Sequence, residues 1–91
     1  MVYRFNDVVI DGDNREVRVD GVIQPTEPQV LAVLTHLIEH RDRVVPKDEL
    51  LDEVWGTRFV SAAAVTSRIK SARAAIGDSG RDQRMIRTVH G

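Results

Sequence analysis

The sequence predicts an α+β domain: a four-stranded antiparallel sheet first, then three helices, then a last strand at the C-terminus. Two observations carry this reading. Residues 3 to 24 break into short β-like runs, YRF, VVID, EVRV and VIQ, separated by the turn-forming stretches ND, GDN and DG. Beyond them come three segments whose apolar residues recur at helical spacing between start and stop signals. Ninety-one residues make one domain, 1–91, and with no cysteine neither a disulfide nor a thiolate metal site can supplement its core.

Each element has a local cause. Asp20-Gly21 between Val19 and Val22 is a two-residue hairpin signal, because both central positions of a type I′ turn need positive φ. The DGDNRE stretch is read as a turn rather than a calcium loop: Arg15 stands where an oxygen ligand is needed and Glu16 where glycine is needed. Pro25 and Pro28 bracket the first helix start, with Thr26 as N-cap and Gln29 completing a capping box. Val30, Leu31, Leu34, Leu37 and Ile38 then share one face, and the helix is expected to end at about His40. A very short β run, Val44-Val45, precedes Pro46, which opens a second helix, KDELLDEVW. In that helix Asp48 and Glu49 sit at the positive end, Leu50, Leu51, Val54 and Trp55 face inward, and Gly56 terminates it.

The third helix runs from Ser61, its N-cap, to Ile76, and Gly77 stops it. Val65, Ile69, Ala72 and Ile76 form its buried stripe, which puts Thr66, Ser67, Lys70, Ser71 and Arg73 on or beside the exposed side. At the C-terminus, Met85, Arg87 and Val89 alternate with Ile86 and Thr88, the pattern of a strand. Its available partner is Val44-Val45, and such a pairing would leave an open edge.

Charge is distributed unevenly. The formal net charge is -1, but from Val65 onward Arg68, Lys70, Arg73, Arg81, Arg84 and Arg87 oppose only Asp78 and Asp82, so the last third is the basic pole of an otherwise acidic chain. No apolar run is long enough for a membrane span and no signal-peptide core opens the chain, so a cytoplasmic protein without membrane contact is expected. The string H-L-I-E-H at 36 to 40 matches a zinc-hydrolase pattern, but a third ligand and a substrate cleft are hard to supply in 91 residues. His36 and His40 are therefore expected to finish a surface face of the first helix, with no metal bound. No nucleophile motif and no glycine-rich phosphate loop is present, so neither an enzyme nor a cofactor is expected.

The element order, together with L-L-D-E-V-W-G at 50 to 56, V-T-S-R-I-K-S-A-R-A-A-I at 65 to 76 and I-R-T-V-H-G at 86 to 91, closely resembles the OmpR/PhoB-type winged helix-turn-helix domain of bacterial transcription regulators. The resemblance covers essentially the whole chain. It implies that the third helix enters the major groove of double-stranded DNA, with Thr66, Ser67, Lys70 and Ser71 facing bases. Trp55, Arg68, Arg73 and Thr88 then match phosphate-contacting positions. Arg87 and His90 belong to the wing, His90 where relatives usually carry an arginine for the minor groove. Ala64, Ala74 and Ala75 replace residues often basic in relatives, so weaker phosphate binding is expected. Arg58 and Phe59 fall in the loop that in relatives often contacts RNA polymerase, and two copies on repeated half-sites are implied. A protein-interaction module without its own DNA specificity is the alternative reading. The family follows T-V-x-G with a return strand; here that strand is absent, which predicts an incomplete wing hairpin. The first strand begins within two or three residues of Met1, so a receiver domain is not expected directly before it: either Met1 is not the natural start or this domain leads a longer protein.

Overall fold

The computed structural model describes residues 1–89. Four strands, β1 (Val2–Phe5), β2 (Val8–Asp11), β3 (Glu16–Val19) and β4 (Val22–Gln24), form an antiparallel meander in the order β1-β2-β3-β4. Pairing Val8 with Val19 and Ile10 with Val17 puts these four on one face, where Tyr3 and Phe5 join them. The DG hairpin forms as expected, with φ of 52° at Asp20 and 78° at Gly21. At the GDN turn the Asp11 carboxylate accepts from the backbone N–H groups of Asp13 and Asn14. That is the self-contained turn expected of the segment, not an ion loop.

Helix α1 (Pro28–Glu39) lies across the inner face of the sheet and packs against α3 (Ala62–Ala75). Val8, Ile10 and Val17 from the sheet meet Val30, Leu31, Val33 and Leu34 from α1, Ala72 from α3 and Ile76, the C-cap of α3, in one shared core. Fully burying a valine or isoleucine there contributes about 1.5–3 kcal/mol. Val33, absent from the face read in the sequence, is wholly buried. The apolar stripe of α1 is wider than one face because the helix is covered on two sides.

The second helix is not uniform. α2 (Lys47–Leu50) continues without a break into a π-helical segment, Leu51–Trp55, which Gly56 ends in the left-handed conformation at φ 70°. The wider turn seats the consecutive Leu50 and Leu51 both in the interior, with Val54 and Trp55 half-buried on the core.

Three expectations are corrected. Thr26 does not cap α1: the N-cap is Glu27 with no side-chain cap bond, because Pro28 starts the helix and Thr26 Oγ1 instead donates to the Gln24 carbonyl at 2.9 Å. Gln29 closes no capping box, since its Oε1 accepts from Arg68 Nε at 3.0 Å. Neither Val44-Val45 nor residues 84–89 form a strand: Val44 is exposed, while Met85 and Ile86 both pack on the core instead of alternating. The backbone N–H groups that a ladder would use have other acceptors. Asp78 takes those of Arg84, Met85 and Ile86, and Gln83 Oε1 takes that of Thr88.

Candidate nucleic-acid interface

Helix α3 is the element on which the sequence reading concentrates, and its ends are well defined. Ser61 caps it by accepting from the Ala64 N–H at 3.2 Å. At the other end the Asp78 N–H reaches the Arg73 carbonyl at 2.8 Å and the Gly77 N–H reaches that of Ala74 at 3.2 Å, around Gly77 at φ 75°. This is a Schellman motif, which depends on glycine because a side chain is disfavoured at positive φ. Between the caps, Val65, Ala72 and Ile76 are buried and Ile69 is half-buried, as the periodicity requires.

The opposite stripe of α3 is Ala63, Thr66, Ser67, Lys70 and Ala74, all exposed. Two hydroxyls and one ammonium therefore project together from a helix surface whose remaining side chains are methyl groups. Ser71 lies at the edge of this stripe, half-buried along a groove shared with Gln24, Pro25, Thr26, Glu27, Val30 and Ala74. Arg68 also lies to the side, tied to Gln29 and 3.6 Å from the Glu27 carboxylate.

Arg73 departs most from its expected place. It is 8% exposed, not on the outer side of the helix. Its Nε donates to the Ile86 carbonyl at 3.0 Å and its Nη2 to Thr88 Oγ1 at 2.7 Å, so the guanidinium is engaged internally and carries the C-terminal segment against α3. Helical position explains the difference: Arg73 is one residue from Ala72 and three from Ile76, close enough to the buried stripe to be covered once residues 85 and 86 dock there.

Asp78 supplies the other half of that attachment, and the sequence reading passed over it. Its Oδ1 accepts from the N–H groups of Ser79 and Arg84, and its Oδ2 from those of Met85 and Ile86, all between 2.8 and 3.0 Å. Partial burial pushes this carboxyl up, but the amides of Ile86, Met85, Arg84 and Ser79 outweigh it and hold the pKa down at about 2. Asp78 and Arg73 thus fix a segment that presents Arg81, Arg84 and Arg87 to solvent. The only sequence signal for this hub is an aspartate directly after the helix-stopping glycine. His90, assigned to the wing, lies outside the described residues.

In the loop before α3, Phe59 is 99% exposed, and Arg58 is clamped on Asp52 by two bonds of 3.0 and 2.9 Å. Trp55 is half-buried against the core, just before the glycine that ends its helix. On the far side of α2, His36 is not part of a plain surface face as expected. Its Nε2 is 2.6 Å from Glu49 Oε2, and Arg43 grips the same carboxylate with bonds of 2.9 and 2.8 Å. Arg43 first, then His36, depress the Glu49 pKa to about 2.

A four-stranded sheet preceding three helices, the last of them long, capped and polar on its outer side and followed by a basic segment held by Arg73 and Asp78, is the architecture of a winged-helix domain. Residues 24–91 match the family described as "Transcriptional regulatory protein, C terminal", and the chain belongs to that family. The transcriptional regulator HilA of Salmonella typhi is 30% identical over 87 residues, which cover 96% of this chain and 15% of HilA. The chain therefore spans only about a seventh of that relative. Among solved structures, the response regulator DrrB of Thermotoga maritima, an OmpR/PhoB homologue, superposes with a TM-score of 0.87 at 31% identity, covering 97% of this chain and 40% of DrrB. The DNA-binding domain of Klebsiella pneumoniae RstA, crystallised with the RstA box, shares the fold with a TM-score of 0.78 at 22% identity, covering 88% of this chain and 80% of that one. Among the described residues, no helix is long and apolar enough to cross a membrane.

Proposed function

We propose that this domain binds duplex DNA sequence-specifically in bacterial transcriptional regulation, inserting α3 into the major groove. The outward stripe of α3 carries this reading. Thr66, Ser67 and Lys70 are exposed along a helix whose other outward residues, Ala63 and Ala74, are small enough to let the backbone come close to base edges. Ser71 reads from the edge of the same stripe. Arg68, Trp55 and Thr88 position the domain on phosphates, and Arg87 extends the cationic surface along the wing side. Arg73 acts one step behind them, holding Thr88 in place. Family membership and the likeness to a domain crystallised with its DNA box support the reading.

Two copies on repeated half-sites, in the cytoplasm, complete the proposal. A contact with RNA polymerase is the second reading for the loop before α3. It is favoured by Phe59, whose ring has no cover and whose neighbour Arg58 is held in place by Asp52.

Selection of this chain against a randomised duplex pool at low and moderate salt tests the proposal. The expected result is enrichment of a direct-repeat motif, with log K falling against log salt at a slope of about -3, the release expected from three or four neutralised phosphates. Retention without sequence enrichment would reduce the domain to a nonspecific binder. No retention at low salt would overturn the proposal for this chain.

A further inference from the structure

The histidine pair of H-L-I-E-H meets a partner that the motif does not contain. His36 lies in the last turn of α1 and His40 is its C-cap, one turn on, with ring centroids 4.3 Å apart. Glu49, from α2, brings its carboxylate to the pair, and one ligand atom from each of His36, His40 and Glu49 lies within 4.8 Å of the others. Glu39, the carboxylate that the hydrolase pattern would use, is not in this group. All three members are half-buried, shielded from bulk water yet open to entry of an ion.

The hydrogen bonds around the cluster set up its donor atoms. His40 Nδ1 is 2.8 Å from the His36 carbonyl oxygen, which has no proton to give, so Nδ1 carries the hydrogen and donates it. The lone pair of a neutral His40 is therefore on Nε2. Arg43 donates Nη1 to Glu49 Oε1 and Nη2 to Oε2, so Oε2 can turn to an ion while Oε1 keeps its guanidinium partner.

We propose that His36, His40 and Glu49 form a binding site for a divalent transition-metal ion of the zinc class, which fastens the C-terminal end of α1 to the start of α2. Two imidazoles and one carboxylate make a mixed nitrogen and oxygen set that suits zinc, cobalt, nickel or copper and not magnesium or calcium. The ion takes the place of the hydrogen now shared at 2.6 Å between His36 Nε2 and Glu49 Oε2. A neutral His36, whose one hydrogen now lies on Nε2 toward the Glu49 carboxylate, moves it to Nδ1 through solvent, and a doubly protonated His36 keeps the Nδ1 hydrogen and releases that of Nε2 to solvent. Around an ion bonded at about 2.0–2.1 Å, tetrahedral donors stand about 3.3 Å apart, so this contact opens by less than about 1 Å. Water fills the fourth position. The site lies on the α1–α2 side of the domain, and it does not depend on the DNA-binding reading of α3.

Calorimetric titration of the 91-residue chain with zinc chloride tests this, alongside His40→Ala and Glu49→Gln variants checked for native circular dichroism. One ion per chain should bind, with a dissociation constant near or below about 10 μM. Each variant should bind at least about tenfold more weakly. Zinc should raise the Tm of the wild-type chain and leave that of His40→Ala unmoved, while magnesium at the same concentration shifts neither. Wild-type affinity in both variants, or no saturable heat in the wild-type chain, overturns the proposal. Cobalt absorption of the wild-type chain gives a reading that needs no variant. Intense d–d bands of a low-coordinate ion are expected, and the weak spectrum of hydrated cobalt overturns the assignment.

Discussion

Replacing Asp78 with asparagine isolates the attachment of the C-terminal segment. Asparagine has nearly the same shape, and its Oδ1 can still accept from Ser79 and Arg84. Its amide nitrogen, however, then faces the N–H groups of Met85 and Ile86, donor against donor. The lost charge can be sized from the depression of the carboxyl from 3.8 to about 2, which corresponds to about 2.4 kcal/mol at neutral pH. Because the side chain is partly solvated, about 1–2 kcal/mol of this is retained after screening. Two amides left without acceptors raise the total to about 2–3 kcal/mol. For a chain of this size that is a fall in Tm of about 10 °C or more. Urea denaturation followed by the fluorescence of the single tryptophan, Trp55, measures it. The pH dependence identifies the cause. A carboxylate depressed in the folded state stabilises fully above its unfolded pKa and loses that stabilisation as pH falls through the folded value, so the charge-specific part of the gap should shrink by about half between pH 7 and pH 3. A gap independent of pH, or one below about 0.5 kcal/mol, would refute the reasoning that an ionised Asp78 organises this segment.

Two further substitutions separate positioning from recognition. Arg73→Met keeps the aliphatic stem but removes the bonds to Ile86 and Thr88, and should cost about 1–3 kcal/mol of stability in the same urea experiment; unchanged stability together with uniformly weaker DNA binding would return Arg73 to the phosphate contacts. Lys70→Ala should leave stability unaltered and cost about 1–3 kcal/mol of DNA affinity at one base position, read by binding to a panel of single-base variants of the selected site; equal loss on every sequence would make Lys70 a phosphate contact.

The sheet and helices were legible in the sequence because their causes are local. The DG hairpin needs positive φ wherever it stands, and Asp20 and Gly21 adopt it. Ser61 caps α3 and Gly77 ends it through bonds made within a few residues of each. The stripe of Thr66, Ser67 and Lys70 was legible for the same reason, since helical spacing opposite Val65 and Ala72 leaves it nowhere to be buried. The departures fall where another residue competes for the same group. Gln29 was read as the closing member of a capping box, but Arg68, which the chain folds onto it from α3, takes its carbonyl. Alternation from Met85 to Val89 suggested a strand, yet Asp78 and Gln83 intercept the N–H groups that a ladder requires.

By itself the sequence determined the order of the four sheet strands and the three helices, the boundaries of α3, the residues on its outer stripe and the basic character of the chain beyond Val65. Only the tertiary structure decided which cations are available on the surface and which are used inside. Arg73 is covered because residues 85 and 86 dock over it, and Arg68 is drawn to the start of α1. It likewise decided that His36 and His40 share a site with Glu49, thirteen residues beyond His36 on another helix. Local dihedral preferences and helical periodicity are properties of a short stretch of chain and can be read from it. The partner of a long, charged side chain is set by which elements pack together, and burial then compels that side chain to find its hydrogen bonds among them.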